Sequence, residues 1–178
     1  MEPRPLTHLS VNLRIPNRLT AGSNRDMWKH GTEPSQGTLE KAPRRFCLLL
    51  ADDHDDVREQ ICQLLRPEFE VLRAVGEGAA LLQAAGALKA DAVITDIEMP
   101  RMGGIEAGEQ ILKRGLCETV VVLSMYPDAH LVKSALESGI RAYVLKMDAS
   151  EELIPAIYAA LRGERYLSSG VRSFYHLG

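Results

Sequence analysis

From Arg45 onward the chain predicts an α/β fold, a doubly wound sheet of parallel strands with helices on both faces. Three observations carry this. Short apolar runs rich in Val, Ile and Leu alternate with longer segments whose apolar residues recur at helical spacing. The runs lack the polar alternation of a sheet wetted on one side, as strands buried on both faces do. Five such strand-helix units in succession imply parallel pairing through helical crossovers.

The elements follow in order. Phe46-Cys-Leu-Leu-Leu-Ala51 is uninterrupted and apolar, hence a central strand, and it runs into Asp52-Asp53-His54-Asp55-Asp56. Asp55 or Asp56 is expected to cap a helix that carries Val57, Ile61, Leu64 and Leu65 until Pro67 stops it. Phe69 to Val75 is the second strand, and Ala79 to Leu88 an Ala/Leu-rich helix with Gly86 near its end. Ala92 to Thr95 forms the third strand and ends at Asp96, after which Met99-Pro100 and Gly103-Gly104 turn the chain away. A helix follows from about Ile105 to Lys113. Thr119 to Leu123 is the fourth strand, ending at Ser124, and Pro127 and Asp128 open a helix that runs to about Glu137 before Gly139. Ala142 to Leu145 is the fifth strand, ending at Lys146. The last helix starts at about Ser150, bears Leu153, Ile154, Ile157 and Leu161 on one face, and stops at Gly163. With Ser150 as its cap, Pro155 falls just beyond the first turn and bends the start.

The strand ends are chemically unusual when taken together. The first supplies Asp52 and Asp53, the third Asp96, the fourth Ser124 and the fifth Lys146. In an open α/β sheet, ligands bind outside the carboxyl ends of the strands, at the point where strand order reverses. Singly, each residue has an ordinary explanation: Asp53 a helix cap, Ser124 a turn former, Lys146 a solvated tip. Jointly they describe a site. Three carboxylates at one edge repel unless a cation joins them, and an all-oxygen donor set that keeps room for water and phosphate favours Mg²⁺. A lysine and a hydroxyl facing such a cluster have a task once a phosphoryl group arrives, one neutralising charge and the other donating a hydrogen bond.

Composition narrows the function classes. The chain has 178 residues, 46% of them hydrophobic, enough for one domain with appendages. It holds no apolar run near the ~18 residues of a membrane span and no secretory signal at its start. Cys47, Cys62 and Cys117 are too few and too scattered for a disulfide framework or a Cys-x-x-Cys metal site, which fits a reducing cytoplasm. Residues 1 to 45 carry eight Lys/Arg against four acids, a balance of +4, which leaves −7 to the remainder of a chain whose net charge is −3. The basic charges are scattered among Pro, Gly, Ser, Asn and Thr without period, so residues 1–44 read as a flexible, disordered, weakly basic leader. The acidic remainder argues against binding of a phosphate backbone by the folded part.

The stretch from Arg45 to Ser168 resembles the receiver domain of two-component response regulators. Leu123-Ser-Met-Tyr126, Arg141-Ala-Tyr-Val-Leu-Lys146 and Leu161-Arg-Gly-Glu-Arg-Tyr-Leu167 are similar to the NarL/LuxR branch. The resemblance implies the flavodoxin-like (βα)5 fold, with five parallel strands in the order 2-1-3-4-5. It implies that Asp96 is the phosphoacceptor, that Asp53, with Asp52 through water, holds Mg²⁺, and that the backbone carbonyl of Glu98 completes the metal site. Ser124 binds the phosphoryl group, Lys146 pairs with Asp96 at rest and with the phosphoryl group afterwards, and Tyr143 turns inward on activation. Glu98 and Tyr126, two residues past their site residues, line the path of the water that removes the phosphoryl group.

By the same resemblance the donor is a histidine kinase or phosphotransfer protein. The output face is the fourth helix, fifth strand and fifth helix, through which a homodimer can form. Three departures stand out. Residues 169–178 are too few for the helix-turn-helix of the branch, so no specific DNA binding is expected of this chain and output passes through protein contact. Met147 stands where receivers often have Pro. The segment between Val75 and the second helix is shorter than usual. Two other readings stay open: a fragment of a NarL/LuxR-type transcriptional regulator, and an Mg²⁺-dependent phosphohydrolase acting on small phosphoesters.

Overall fold

A computed structural model describes residues 44–175, and the expected leader lies almost wholly outside them. The strands are β1 (Cys47–Ala51), β2 (Glu70–Val75), β3 (Ala92–Asp96), β4 (Val120–Ser124), β5 (Ala142–Leu145) and a two-residue β6 (Tyr166–Leu167). The helices are α1 (Asp55–Leu65), α2 (Gly78–Ala87), α3 (Gly104–Lys113), α4 (Ala129–Glu137), α5 (Ala149–Leu161) and α6 (Ser169–Tyr175), with a 3₁₀ turn at Lys146–Asp148. All strand pairs are parallel, in the order β2-β1-β3-β4-β5-β6.

Side chains of successive strand residues point to opposite faces, and both faces are apolar. Leu48 and Leu50 of β1, Ile94 of β3 and Leu123 of β4 pack with Ile61 and Leu65 of α1 and Leu153 and Ile157 of α5. Leu49, Val93, Val122 and Tyr143 pack on the other face with Leu81 of α2, Ile111 of α3 and Val132 of α4. This two-faced burial is why the strands read as continuous apolar runs. It also holds the carboxyl ends of β1, β3, β4 and β5 at one edge.

The structure corrects the sequence reading in four places. The sheet has six strands, because Tyr166 and Leu167 add to β5. Residues 169–175, expected as a short tail, form α6, whose Val171 is buried among Tyr143, Leu145 and their neighbours. Helix α1 begins at Asp55 behind His54, with no side-chain cap, because the Asp52 carboxylate has already turned the chain by accepting the His54 N–H at 3.0 Å. Ser150 lies inside α5, which starts directly after the 3₁₀ turn. Pro155 therefore sits deeper than its predicted place, costing the hydrogen bond that residue 155 would give Glu151. The expected cap at Asp128 is present: its carboxylate accepts from the His130 and Leu131 amides. No peptide bond among the described residues is cis, Lys146-Met147 included.

Candidate functional site

Sheet register assembles the site. Ala51 lies level with Thr95, Asp96 with Leu123, and Ser124 with Leu145, so Asp52, Asp96, Ser124 and Lys146 emerge at one height from adjacent strands. Behind Asp96 the chain doubles back so tightly that the Gly104 amide bonds the Ile97 carbonyl at 2.9 Å. A Cβ at Gly104 would overlap the Asp96 carbonyl oxygen, so the second of the two glycines is required by close approach rather than by flexibility.

At the centre lies a buried triad of charges. Lys146 Nζ donates to Asp96 Oδ2 at 2.7 Å and stands 2.7 Å from Asp52 Oδ2. Exposure is 2% for Lys146, 0% for Asp52 and 2% for Asp96. Asp96 Oδ1 accepts the Ile97 amide at 2.8 Å. Asp52 Oδ2 meets the ammonium and no other side chain or backbone donor. Two carboxylates against one ammonium leave an uncompensated negative charge out of water, and the titration follows from that. Burial pushes the Asp96 carboxyl above its usual range, with Lys146 opposing and Asp52 adding to the rise. Burial pulls the Lys146 ammonium down, but Asp96 and Asp52 outweigh it and hold the lysine above its ordinary value.

The donor set suits a small cation. Ligand atoms of Asp52, Asp53, His54 and Asp96 lie within 4.8 Å of one another. A residual negative charge, a buried carboxylate oxygen that meets only the shared ammonium and mainly oxygen donors fit a hard divalent ion such as Mg²⁺. Sequence reasoning passed over His54, whose Nδ1 contacts Asp53 at 2.8 Å and Asp52 at 3.6 Å. It also passed over Arg58, which donates to the Asp52 carbonyl at 2.8 Å and fixes the turn that presents both acids. Arg58 was legible only as a helix-surface cation, because its partner is a backbone atom. The Glu98 side chain is exposed.

Ser124 and Tyr143 are joined through the loop that follows β4. Ser124 Oγ donates to the Tyr126 carbonyl at 3.1 Å and accepts the Tyr126 amide at 3.2 Å, so it is engaged by its own loop. Tyr143 is fully buried, and its hydroxyl donates to the same Tyr126 carbonyl at 3.1 Å. Burial pushes the Tyr143 hydroxyl up, keeping it a neutral donor. One carbonyl thus joins the Ser124 hydroxyl to the Tyr143 ring. Around this cluster Tyr126, Met125 and Met147 are exposed, Met147 by 73%.

The comparisons with known proteins agree with one another. A family description, the response regulator receiver domain, matches residues 48–158. The transcriptional regulatory protein PdtaR of Mycobacterium tuberculosis is 32% identical over 139 residues, 78% of this chain and 66% of its own length. The transcriptional regulatory protein LiaR of Bacillus subtilis is 34% identical over 126 residues, 70% of this chain and 60% of its own. The crystal structure of a LuxR-family two-component response regulator from Aurantimonas sp. SI85-9A1 superposes with a TM-score of 0.69 at 27% identity, over 76% of this chain and all of that one. The chain spans less than two thirds of the length of the curated relatives it matches.

Proposed function

The chain belongs to the response regulator receiver domain family, with relatives of the NarL/LuxR type, and from that premise we propose that Asp96 is the phosphoacceptor of a two-component signalling step. The observation that carries the assignment is the buried pairing of Asp96 with Lys146 beside a second buried carboxylate, Asp52, that shares the same ammonium. A carboxylate held dry, aimed by the Ile97 amide and matched to one fixed cation is prepared for a partner that brings negative oxygens.

The donor is the phosphohistidine of a kinase or phosphotransfer protein. An Asp96 carboxylate oxygen attacks phosphorus, the phosphorus–nitrogen bond breaks, and the imidazole leaves with the electron pair, giving an acyl phosphate. Lys146 shifts its charge from the two carboxylates to the new phosphoryl oxygens. Asp53, Asp52, Asp96 and the Glu98 carbonyl are the groups assigned to Mg²⁺, which supplies neutralising charge when bound. Ser124 reaches the phosphoryl group by giving up its hydrogen bonds to Tyr126. Those same bonds touch the carbonyl that Tyr143 uses, so the ring's environment changes with occupancy. Water later attacks phosphorus and restores the carboxylate; this turnover of its own phosphoryl group is the chain's only proposed chemistry.

Output passes by protein contact in the cytoplasm. Among the described residues no helix is long and apolar enough to cross a membrane. The transcriptional role in the names of PdtaR and LiaR belongs to proteins of which this chain spans 66% and 60%. Incubation with acetyl phosphate tests the reading: one phosphoryl group per chain, dependent on Mg²⁺ and lost in Asp96→Asn, supports it. Continuous turnover of an aryl phosphate without a stoichiometric intermediate would support the phosphohydrolase instead.

A further inference from the structure

Two carboxylates play no part in that reaction, and both grip the C-terminal segment. Asp148 Oδ2 accepts the Ser168 hydroxyl at 2.6 Å and the Gly170 amide at 3.1 Å. Glu152 accepts the Ser169 amide at 2.9 Å, the Ser169 hydroxyl, and the Tyr166 hydroxyl at 2.8 Å. The segment so held covers β5, the strand of the expected output face: β6 pairs along its edge, and Val171 of α6 is buried with Tyr143 and Leu145. The fit is close enough that a Cβ at Gly170 would crowd both Leu145 and Asp148. The occupant of this face is therefore the chain's own residues 166–175.

The grip is connected to the site by one turn of chain. Lys146 and Asp148 belong to the same three-residue 3₁₀ turn, one reaching into the acidic cluster and the other out to α6. Ser168 closes a ring around that turn: its hydroxyl donates to Asp148 and accepts the Leu145 amide at 3.1 Å, and Ser168 is fully buried. The ring spans the turn that carries Lys146, from the Leu145 amide before it to the Asp148 carboxylate two residues after it.

Building on the phosphoacceptor reading, we propose that residues 166–175 are a latch over the α4–β5–α5 face, coupled to the site because Asp148 positions Lys146. When Lys146 redirects its charge to a phosphoryl group, the turn readjusts and the Leu145–Ser168–Asp148 ring is loosened or tightened with it. Coupling is reciprocal: a change at the ring alters affinity at the site by the factor with which site occupancy alters the ring. Asp148 touches no reacting atom and acts only through the lysine.

The test uses the full chain with Mg²⁺ and beryllofluoride, read by amide hydrogen exchange. Amides from Ser168 to Arg172 are expected to change their exchange rate by about fivefold or more when beryllofluoride binds. Ser168→Ala and Asp148→Asn are expected to change the beryllofluoride dissociation constant by a similar factor while Asp96 still takes up acetyl phosphate. Unchanged exchange at residues 168–172, with the Ile97 amide reporting beryllofluoride on Asp96, overturns the latch and leaves the phosphoacceptor reading standing. Failure to perturb Ile97 removes that reading itself. Should either variant not fold, the exchange measurement on the unaltered chain decides alone.

Discussion

Replacing Lys146 by alanine removes the one cation from a cluster whose three members are each at most 2% exposed. Asp52 and Asp96 are then left side by side in the dry edge of the sheet. Truncating one member of a buried ion pair costs about 3–5 kcal/mol, because the remaining charge loses its partner without regaining water. Asp96, already pushed upward by burial, limits the loss by taking a proton. We expect the low end, ~3 kcal/mol without metal, against a total stability of about 5–15 kcal/mol for an ordinary domain. For a domain of this size that lowers Tm by roughly 10 °C. A divalent ion restores the missing charge, so Mg²⁺ should recover more stability in Lys146→Ala than in the unaltered chain. Urea denaturation in EDTA and in MgCl₂, with Lys146→Met as a control for lost aliphatic volume, gives both numbers. A variant within about 0.5 kcal/mol of the unaltered chain in EDTA, the ordinary scatter of surface substitutions, would refute the reasoning.

Other expectations are equally direct. Asp53→Asn should abolish most of the thermal stabilisation by Mg²⁺ with little change in stability without metal, since Asp53 is exposed and its partner is His54 rather than Lys146. Equal Mg²⁺ shifts in both proteins would count against its role. Glu98→Ala and Tyr126→Ala, both at the exposed rim, should change the half-life of phosphorylated protein severalfold without preventing phosphorylation, as followed by mass against time. Burial pulls the Glu152 carboxyl upward, but hydrogen bonds from Ser169 and Tyr166 outweigh it and hold the group below its ordinary value of 4.5. Its contribution is therefore present above that value and lost as pH falls through the depressed one. Glu152→Gln should cost about 1 kcal/mol at neutral pH and nothing in sufficiently acidic buffer, by urea titration across pH. A difference that persists unchanged in acid would remove the carboxylate from the account.

The sheet was legible because burial on both faces leaves a plain signature: Leu48 to Leu50, Val93 and Ile94, and Val120 to Leu123 have no polar residue to interrupt them. Asp52, Asp96 and Lys146 were legible as strand ends, and register alone then brings them together. Lys146 holding two acids at once was not, because that depends on a side chain's reach across the sheet and not on spacing. Nor was the loop engagement of Ser124, since a hydroxyl two residues before a backbone amide can as easily face a ligand. The C-terminal segment escaped because β6 has two residues and α6 seven, too short for periodicity to declare either. Their order comes from Asp148 and Glu152, which in sequence look only like acids at the start of a helix.

The central claim, that Asp96 and no other acid at this edge receives the phosphoryl group, is best tested by locating the modification. Protein phosphorylated with acetyl phosphate and Mg²⁺, reduced with borohydride and digested, should carry its altered residue at Asp96 alone. Modification at Asp52 or Asp53 would contradict the account, because it would move the chemistry to an acid assigned to hold the cation.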